Sequence, residues 1–521
     1  PPQHRHRPRT IAFADAITGH ITYFKALVGA ILFAKKLTPL LGPAKNVGIL
    51  LPPSVGGALA NTALQLMGKV PVNLNYTGSD ETLEACARQC QMTHVITSKK
   101  FLERVPIQPP GEIILLEDVR NTITKGDRLK ALPAAILTPA KKLAAQLGAG
   151  NTLETDLCTI IFSSGSEGTP KGVQLTHRNL LSNIESVGHI FPWERDTRFI
   201  GFLPFFHSFG FMAKLWLPIA GSLTVVYHPN PLEPKEIGKL IQQYQCNFMF
   251  GSSTFLQGFL RRCEPQQLAS MKFIAAGAEK LNPRVREGFA EKFGITPLEG
   301  YGATETSPVA SVNLPDLESP GFFHRATNHG TVGLPLPGVR FRVTDPDTRE
   351  VLSQGETGMI EAIGPNIMAG YLGQPEKTAE ATQDGWYRLG DIAYIDEDGF
   401  PRITDRLARF SKIAGEMVPH TGVEEKLHQL LELTKRALVV TGIPDQNKGE
   451  RLIVLHTLEN EQTQALLEKL QSAQIPNLWR PKATNFHLVP EIPVLGTGKL
   501  DLTAIKKTAQ TLAEPPSPIQ P

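Results

Sequence analysis

Through its first 400 residues the chain alternates short apolar runs with segments of helical period, and this alternation constrains the fold most. Asn46–Leu51 reads as a buried strand, and an apolar-periodic helix from Gly57 to Met67 follows it. Thr93–Thr97, Thr159–Phe162, Leu223–Tyr227 and Phe273–Ala276 repeat the short apolar pattern. Continuous apolar runs of this length suit strands covered on both faces, and strands separated by helices pair in parallel through crossovers. The fold class expected is therefore α/β, with a large N-terminal domain of layered parallel α/β sheets. The apolar run Ala26–Ala34, set between Lys25 and Lys35, is about half of the roughly 20 residues a helix needs to span a bilayer. It reads as a core helix. Residues 131–150, rich in Ala, Pro and Gly, read as a connector.

The pattern changes after about residue 335. Val339–Thr344, Gly358–Ile363 and Phe400–Ile403 look like short strands between Gly, Asp and Pro turns, which predicts a small β-rich subdomain over about 335–405. Residues 406–514 read as a small α+β domain. It contains helices at Gly422–Leu433 and Gln462–Ala473 and strands at Ala437–Val440 and Leu452–Leu455. The Pro-rich residues 515–521 read as a disordered tail.

Composition narrows the function classes. A net charge of +3 and the lack of a long basic run beyond His4–Arg9 argue against nucleic acid as a partner. Five cysteines are odd in number and sparse for 521 residues, which favours free thiols in a reducing, cytoplasmic compartment. Cys86 and Cys90 stand four apart without further ligands nearby and read as buried apolar thiols. Neither a secretory signal nor a membrane-spanning run is visible. The chain begins at Pro1 rather than Met, which leaves an upstream segment open.

The buried run Ile160–Phe162 leads directly into Ser163, Ser164, Gly165, Ser166, Glu167, Gly168, Thr169, Pro170, Lys171 and Gly172. Small residues let backbone amides approach an anion, hydroxyls add donors, and Lys171 adds charge, so this loop is expected to hold phosphate. It is not the P-loop, because neither Lys171 nor Lys499 follows the required Gly spacing. No strand is followed by Gly-x-Gly-x-x-Gly, which weighs against a dinucleotide enzyme.

This loop resembles the phosphate loop of the adenylate-forming superfamily of acyl-CoA synthetases, luciferases and adenylation domains. Further stretches resemble that family's motifs in its order, over nearly the whole chain. Gly300–Glu305 resembles the second signature; the likeness implies that Glu305 helps hold Mg²⁺, Thr304 contacts phosphate, and Tyr301 and Gly302 lie at the adenine. Gly277 and Ala278, in Ala276–Lys280, resemble the segment over the other face of the base. Trp386–Asp391 resembles the third signature, with Asp391 on the ribose hydroxyls. Asp405–Arg406 resembles the domain boundary, whose arginine contacts the nucleotide, and Pro493–Lys499 resembles the loop that carries the catalytic lysine, here Lys499. The resemblance thus implies an adenylation domain over 1–405, a mobile domain over 406–514, ATP and Mg²⁺ as cofactors, and Lys171, Glu305 and Lys499 as the residues serving catalysis. In the family the small domain turns about a hinge, here Ala408, to present a thiolation face, here Lys412, Gly415 and Glu416. Two positions depart from the pattern. Ala408 stands where relatives carry a charged residue, and Leu389 where they carry Thr.

Leu203–Gly210, Phe250–Leu256, Gly364–Met368 and Lys412–Met417 resemble the synthetase half of bifunctional acyl-[acyl-carrier-protein] synthetase/2-acylglycerophosphoethanolamine acyltransferases. That likeness implies a fatty acid as substrate, acyl carrier protein as thiol acceptor, and His207 as gate of the acyl pocket. The apolar and aromatic residues around 202–216 are compatible with an acyl channel and equally with the buried core of any α/β domain. None of the 14 histidines has Asp five positions on, so the acyltransferase half is expected to be absent from this stretch. Peripheral association with the inner face of the cytoplasmic membrane, and an upstream fused acyltransferase or transporter domain, stay open. The alternatives are a long-chain acyl-CoA synthetase using coenzyme A, a fatty acyl-AMP ligase, and a weakened paralogue that binds nucleotide or lipid without turnover.

Overall fold

The computed structural model describes residues 7–163, 170–191, 193–413, 416–433, 436–445, 449–473, 475–494 and 500–513. Within these, two units separate. Residues 7–163, 170–341 and 362–387 form the first, and 342–361 with 388 onward form the second.

The first unit is layered α/β, as the alternation requires. Its largest sheet runs in the order Leu334–Pro335, Val309–Val312, Leu298–Gly302, Phe273–Ala276, Phe248–Gly251, Arg198–Gly201, Thr224–Tyr227, Ile11–Asp15, Gly19–Thr22. Its middle pairs are parallel and antiparallel strands flank them. A second sheet is wholly parallel, in the order Val70–Asn73, Asn46–Ile49, His94–Thr97, Glu112–Leu115. A third is antiparallel and joins Gly370–Tyr371, Lys171–Thr176 and Leu157–Ser163.

Side-chain packing explains why these elements form. The helix Tyr23–Leu41 starts where the Thr22 side chain accepts the Lys25 N–H at 3.3 Å. It buries Ala34, Leu37 and Leu41 with Val47, Ile49, Ala60 and Leu64, so Ala26–Ala34 belongs to a core helix. Among the described residues no helix is long and apolar enough to cross a membrane. All five cysteines are free and buried, and burial pushes the Cys86 and Cys90 thiols up to about 12 and about 11.

The expected connector is a correction. Residues 131–150 fall mostly in two helices, Lys125–Leu137 and Ala140–Leu147. Thr124 and Asp127 form a reciprocal capping box that starts the first, and alanine, the best helix former, carries both onward past Pro133 and Pro139. The first helix buries Ala131 and Ala135 and leaves Leu129, Leu132, Ile136 and Leu137 exposed.

In the second unit Arg340–Thr344, Gly358–Ile363 and Trp386–Ile395, which start or end at its border, lie side by side, and Pro401–Arg406 pairs antiparallel with the last. A further sheet runs Glu416–Pro419, Phe410–Ile413, Gly449–His456, Leu438–Asp445, with Phe486–Leu488 parallel to Gly449–His456. Helices His420–Leu430 and Asn460–Ser472 contribute to one apolar cluster against it, and Leu502–Ala513 to another. The tail at 515–521 lies outside the described residues.

Candidate active site

Three neighbouring parallel strands, Phe248–Gly251, Phe273–Ala276 and Leu298–Gly302, end beside one another. Ligands of open α/β sheets bind outside such carboxyl ends. Here those ends deliver Gly251–Ser252, Gly277–Ala278 and Gly302–Glu305. Gly277 N–H donates to the Gly251 carbonyl at 3.0 Å, which fixes the first two segments together. Ala278 adopts a left-handed backbone with φ of 69°, a strained conformation for a residue with a Cβ and one that clusters at functional sites. Gly302 has no alternative, because a Cβ there would collide with the Pro308 carbonyl. Tyr301 is half-buried, with its ring 6.4 Å from that of Phe341.

Glu305 sits in the single turn Thr304–Thr306 that follows. Its backbone carbonyl accepts the Met368 N–H at 2.8 Å. The Tyr371 hydroxyl donates to its carboxylate at 2.9 Å, and the Tyr387 hydroxyl lies 3.1 Å from that of Tyr371. Burial first, and the Glu305 charge second, push both phenols above their usual range, so both remain protonated donors.

The mouth of the expected phosphate loop lies in the same unit. Ser163 and Lys171 face each other across the ladder between Leu157–Ser163 and Lys171–Thr176. Lys171 Nζ stands 5.6 Å from the centre of the Tyr371 ring, the ring whose hydroxyl serves Glu305. Ser164, Gly165, Ser166, Gly168 and Thr169 lie outside the described residues. Ser208 donates to the Thr304 hydroxyl at 3.2 Å, which brings the His207 segment to the same place. His207 is itself exposed, its ring 4.7 Å from that of Phe206. The structure thus brings together Lys171, Thr304, Glu305 and the segment of His207. Tyr371 and the hydroxyl of Tyr387 are members that the sequence reading did not single out. Their signal was position: Tyr371 closely follows Gly364–Met368, and Tyr387 lies inside the third signature.

In the second unit Asp391 and Arg406 are register partners, with Arg406 Nε 3.6 Å from an Asp391 carboxylate oxygen. Asp391 is buried and Arg406 exposed. Asp405 accepts the Thr421 N–H at 2.7 Å. Ala408 falls in the turn Leu407–Arg409, and Lys412 and Glu416 in the strands Phe410–Ile413 and Glu416–Pro419. Gly415 and Lys499 lie outside the described residues.

The donor set at Glu305 suits a hard cation. It offers a carboxylate and a neighbouring threonine hydroxyl, all oxygen, with the carboxylate held by neutral phenols that leave its charge uncancelled. A carboxylate suited to a cation and the Lys171 ammonium, both at the Tyr371 ring, form an arrangement that can bind and orient a polyphosphate.

Comparison with known proteins shows the family of the chain and its fold. A family model described as AMP-binding enzyme matches residues 2–372. The long-chain-fatty-acid–CoA ligase of Bacillus subtilis (strain 168) is 30% identical over 357 residues, 67% of this chain and 61% of that protein, so the match spans less than two thirds of the relative. The 4-coumarate–CoA ligase-like 4 protein of Oryza sativa subsp. japonica is 27% identical over 518 residues, 95% of this chain and 90% of its own. In fold, the chain is similar to the o-succinylbenzoate CoA synthetase of Bacillus subtilis solved with an acyl-adenylate intermediate. The TM-score is 0.79 at 20% identity, covering 97% of this chain and 96% of that one.

Proposed function

We propose, from the premise that this chain belongs to the AMP-binding enzyme family, that it activates a fatty acid with ATP as the acyl-adenylate and passes the acyl group to a phosphopantetheine thiol. The observation that carries this reading is the meeting of Lys171, Thr304 and Glu305 beside the carboxyl ends of three parallel strands.

In the first half-reaction the acid's carboxylate oxygen bonds to the α-phosphorus and pyrophosphate leaves. Charge crowds at the phosphates, so positioning and charge placement dominate. Lys171 and the loop after Ser163 bind the departing phosphates. Glu305, with Thr304 beside it, would hold magnesium, which would supply charge neutralisation at the phosphates. Asp391 accepts from the ribose hydroxyls, and Lys499 holds the carboxylate against the phosphate. In the second half-reaction the thiol attacks the mixed anhydride and AMP leaves; a turn of the domain from 406 about Ala408 exchanges Lys499 for the face bearing Lys412, Gly415 and Glu416.

Acyl carrier protein is the acceptor implied by the motif likeness. Coenzyme A is the second reading, favoured by the relatives named as CoA ligases. Fatty-acid-dependent ATP–pyrophosphate exchange, followed by addition of either thiol, tests both. Exchange is expected with acids of eight to eighteen carbons, and its absence with all of them overturns the proposal. A thioester formed on coenzyme A alone rejects the carrier protein.

A further inference from the structure

Lys214 contradicts its surroundings. It lies in the apolar stretch 202–216, where a short helix, Ser208–Phe211, runs into a π-helical turn, Met212–Trp216. It is the only fully buried lysine among the described residues, and its Nζ has no hydrogen-bond partner. The amine lies 4.4 Å from the centre of the Phe250 ring and 5.1 Å from that of Phe199, two rings carried by adjacent parallel strands. Tyr227 bonds only the Lys214 backbone carbonyl, at 2.8 Å. Burial drives the amine well below its usual range, against an opposing pull from Cys246, and its hydrogen-bond donors are unmet. A buried polar group without a partner is unfavourable, and each one in a folded protein calls for a reason. π-helical turns inside helices are frequent at functional sites.

A continuous path of rings links this amine to the candidate site. The Phe250 ring stacks on that of Phe209, 5.7 Å between centres. The Phe209 ring lies 3.3 Å from where a Cβ of Gly277 would stand. Ser208, next along the chain, holds Thr304. We infer that Lys214 closes the far end of the acyl channel and selects acids whose far end carries an oxygen acceptor, a medium-chain dicarboxylic acid foremost. This rests on the proposed activation of a fatty acid, and on residues 202–216 lining the channel with which their apolar and aromatic character is compatible.

A terminal methyl beside Lys214 leaves the amine unmet, whereas a terminal carboxyl or hydroxyl supplies its partner. Sites that hydrogen-bond a substrate group discriminate strongly against analogues lacking it, because the site's polar atom is then left buried and alone. A far carboxyl and the amine make a pair of no net charge, whichever of the two holds the proton.

The test measures ATP–pyrophosphate exchange by wild type and Lys214→Met with monocarboxylic, ω-hydroxy and dicarboxylic acids of equal length, eight to twelve carbons. Wild type is expected to favour the dicarboxylic acid by about tenfold or more in kcat/KM, mostly through KM. Lys214→Met is expected to reverse that order, so that the monocarboxylic acid has the higher kcat/KM. A greater response to the ω-hydroxy acid than to the dicarboxylic acid identifies a neutral acceptor as the preferred partner and keeps the inference. A wild-type preference for monocarboxylic acids overturns it even where the variant fails to fold, and so does an unchanged order in a folded variant. Both outcomes leave the adenylation reading standing. Absence of exchange with every acid brings down that reading and the inference together.

Discussion

Glu305 in the first unit and Glu424 in the second are both carboxylates drawn away from solvent, and they end in opposite conditions. Glu424 is buried, accepts from Arg409 Nη2 at 2.5 Å and caps the Val440 N–H at 2.7 Å. Its charge is cancelled in place by a guanidinium. Glu305 is held by phenol hydroxyls, which fix its direction and bring no counter-charge. The difference teaches what makes a carboxylate structural or receptive. A cationic partner turns it into a joint of the fold, whereas neutral donors aim it without supplying a counter-charge, which suits the metal role proposed for Glu305.

The joint around Glu424 should respond most to acid. His420, buried and bonded to Ser411 Oγ at 2.8 Å, is pushed down from about 6.5 to about 3, by burial first and by the Arg409 charge second. The unfolded chain then binds a proton that the folded chain refuses. Stability is full above about pH 6.5 and lost as pH falls towards 3, at up to about 1.4 kcal/mol per pH unit. His420→Gln should flatten that slope in urea unfolding curves taken across this window, and an unchanged slope would separate the histidine from the joint. Next in size, Arg409→Met leaves Glu424 buried and unpaired and should lower unfolding free energy by about 3–5 kcal/mol, most of it returning when Glu424→Leu is added. A loss under about 1 kcal/mol at neutral pH would make the two glutamates alike.

Glu305→Gln is expected to do the reverse: little change in unfolding, and about a hundredfold fall in ATP–pyrophosphate exchange that added magnesium does not restore. Exchange at the wild-type rate would end the contrast. The smallest effect belongs to Tyr371→Phe. Losing one of the donors that aim Glu305 amounts to about 1 kcal/mol, read as a several-fold rise in the magnesium concentration needed for half-maximal exchange.

Much of the frame was legible because it is written in local pattern. Phe273–Ala276 and Gly358–Ile363 are strands with the bounds their apolar runs predict. Residues 131–150 were less legible, because their Pro and Gly mask the alanines and the Thr124 cap that make them helical. The site was legible in part for a different reason. Glu305 and Lys171 stand in recognisable motifs, but the contact that orients Glu305 comes from Tyr371, 66 residues further on, and no local periodicity encodes it. Lys214 was hidden by its neighbours. In a stretch that reads as apolar, one lysine looks like a surface residue until the strands carrying Phe199 and Phe250 close over it.

Gly302, wedged against the Pro308 carbonyl one turn before the carboxylate, has a consequence for inheritance. Every single-base missense change in a glycine codon yields Ala, Val, Ser, Cys, Asp, Glu, Arg or Trp, and each of these brings a Cβ. At this codon the gene has no neutral missense neighbour one mutation away, so drift elsewhere in the strand must proceed around a fixed point.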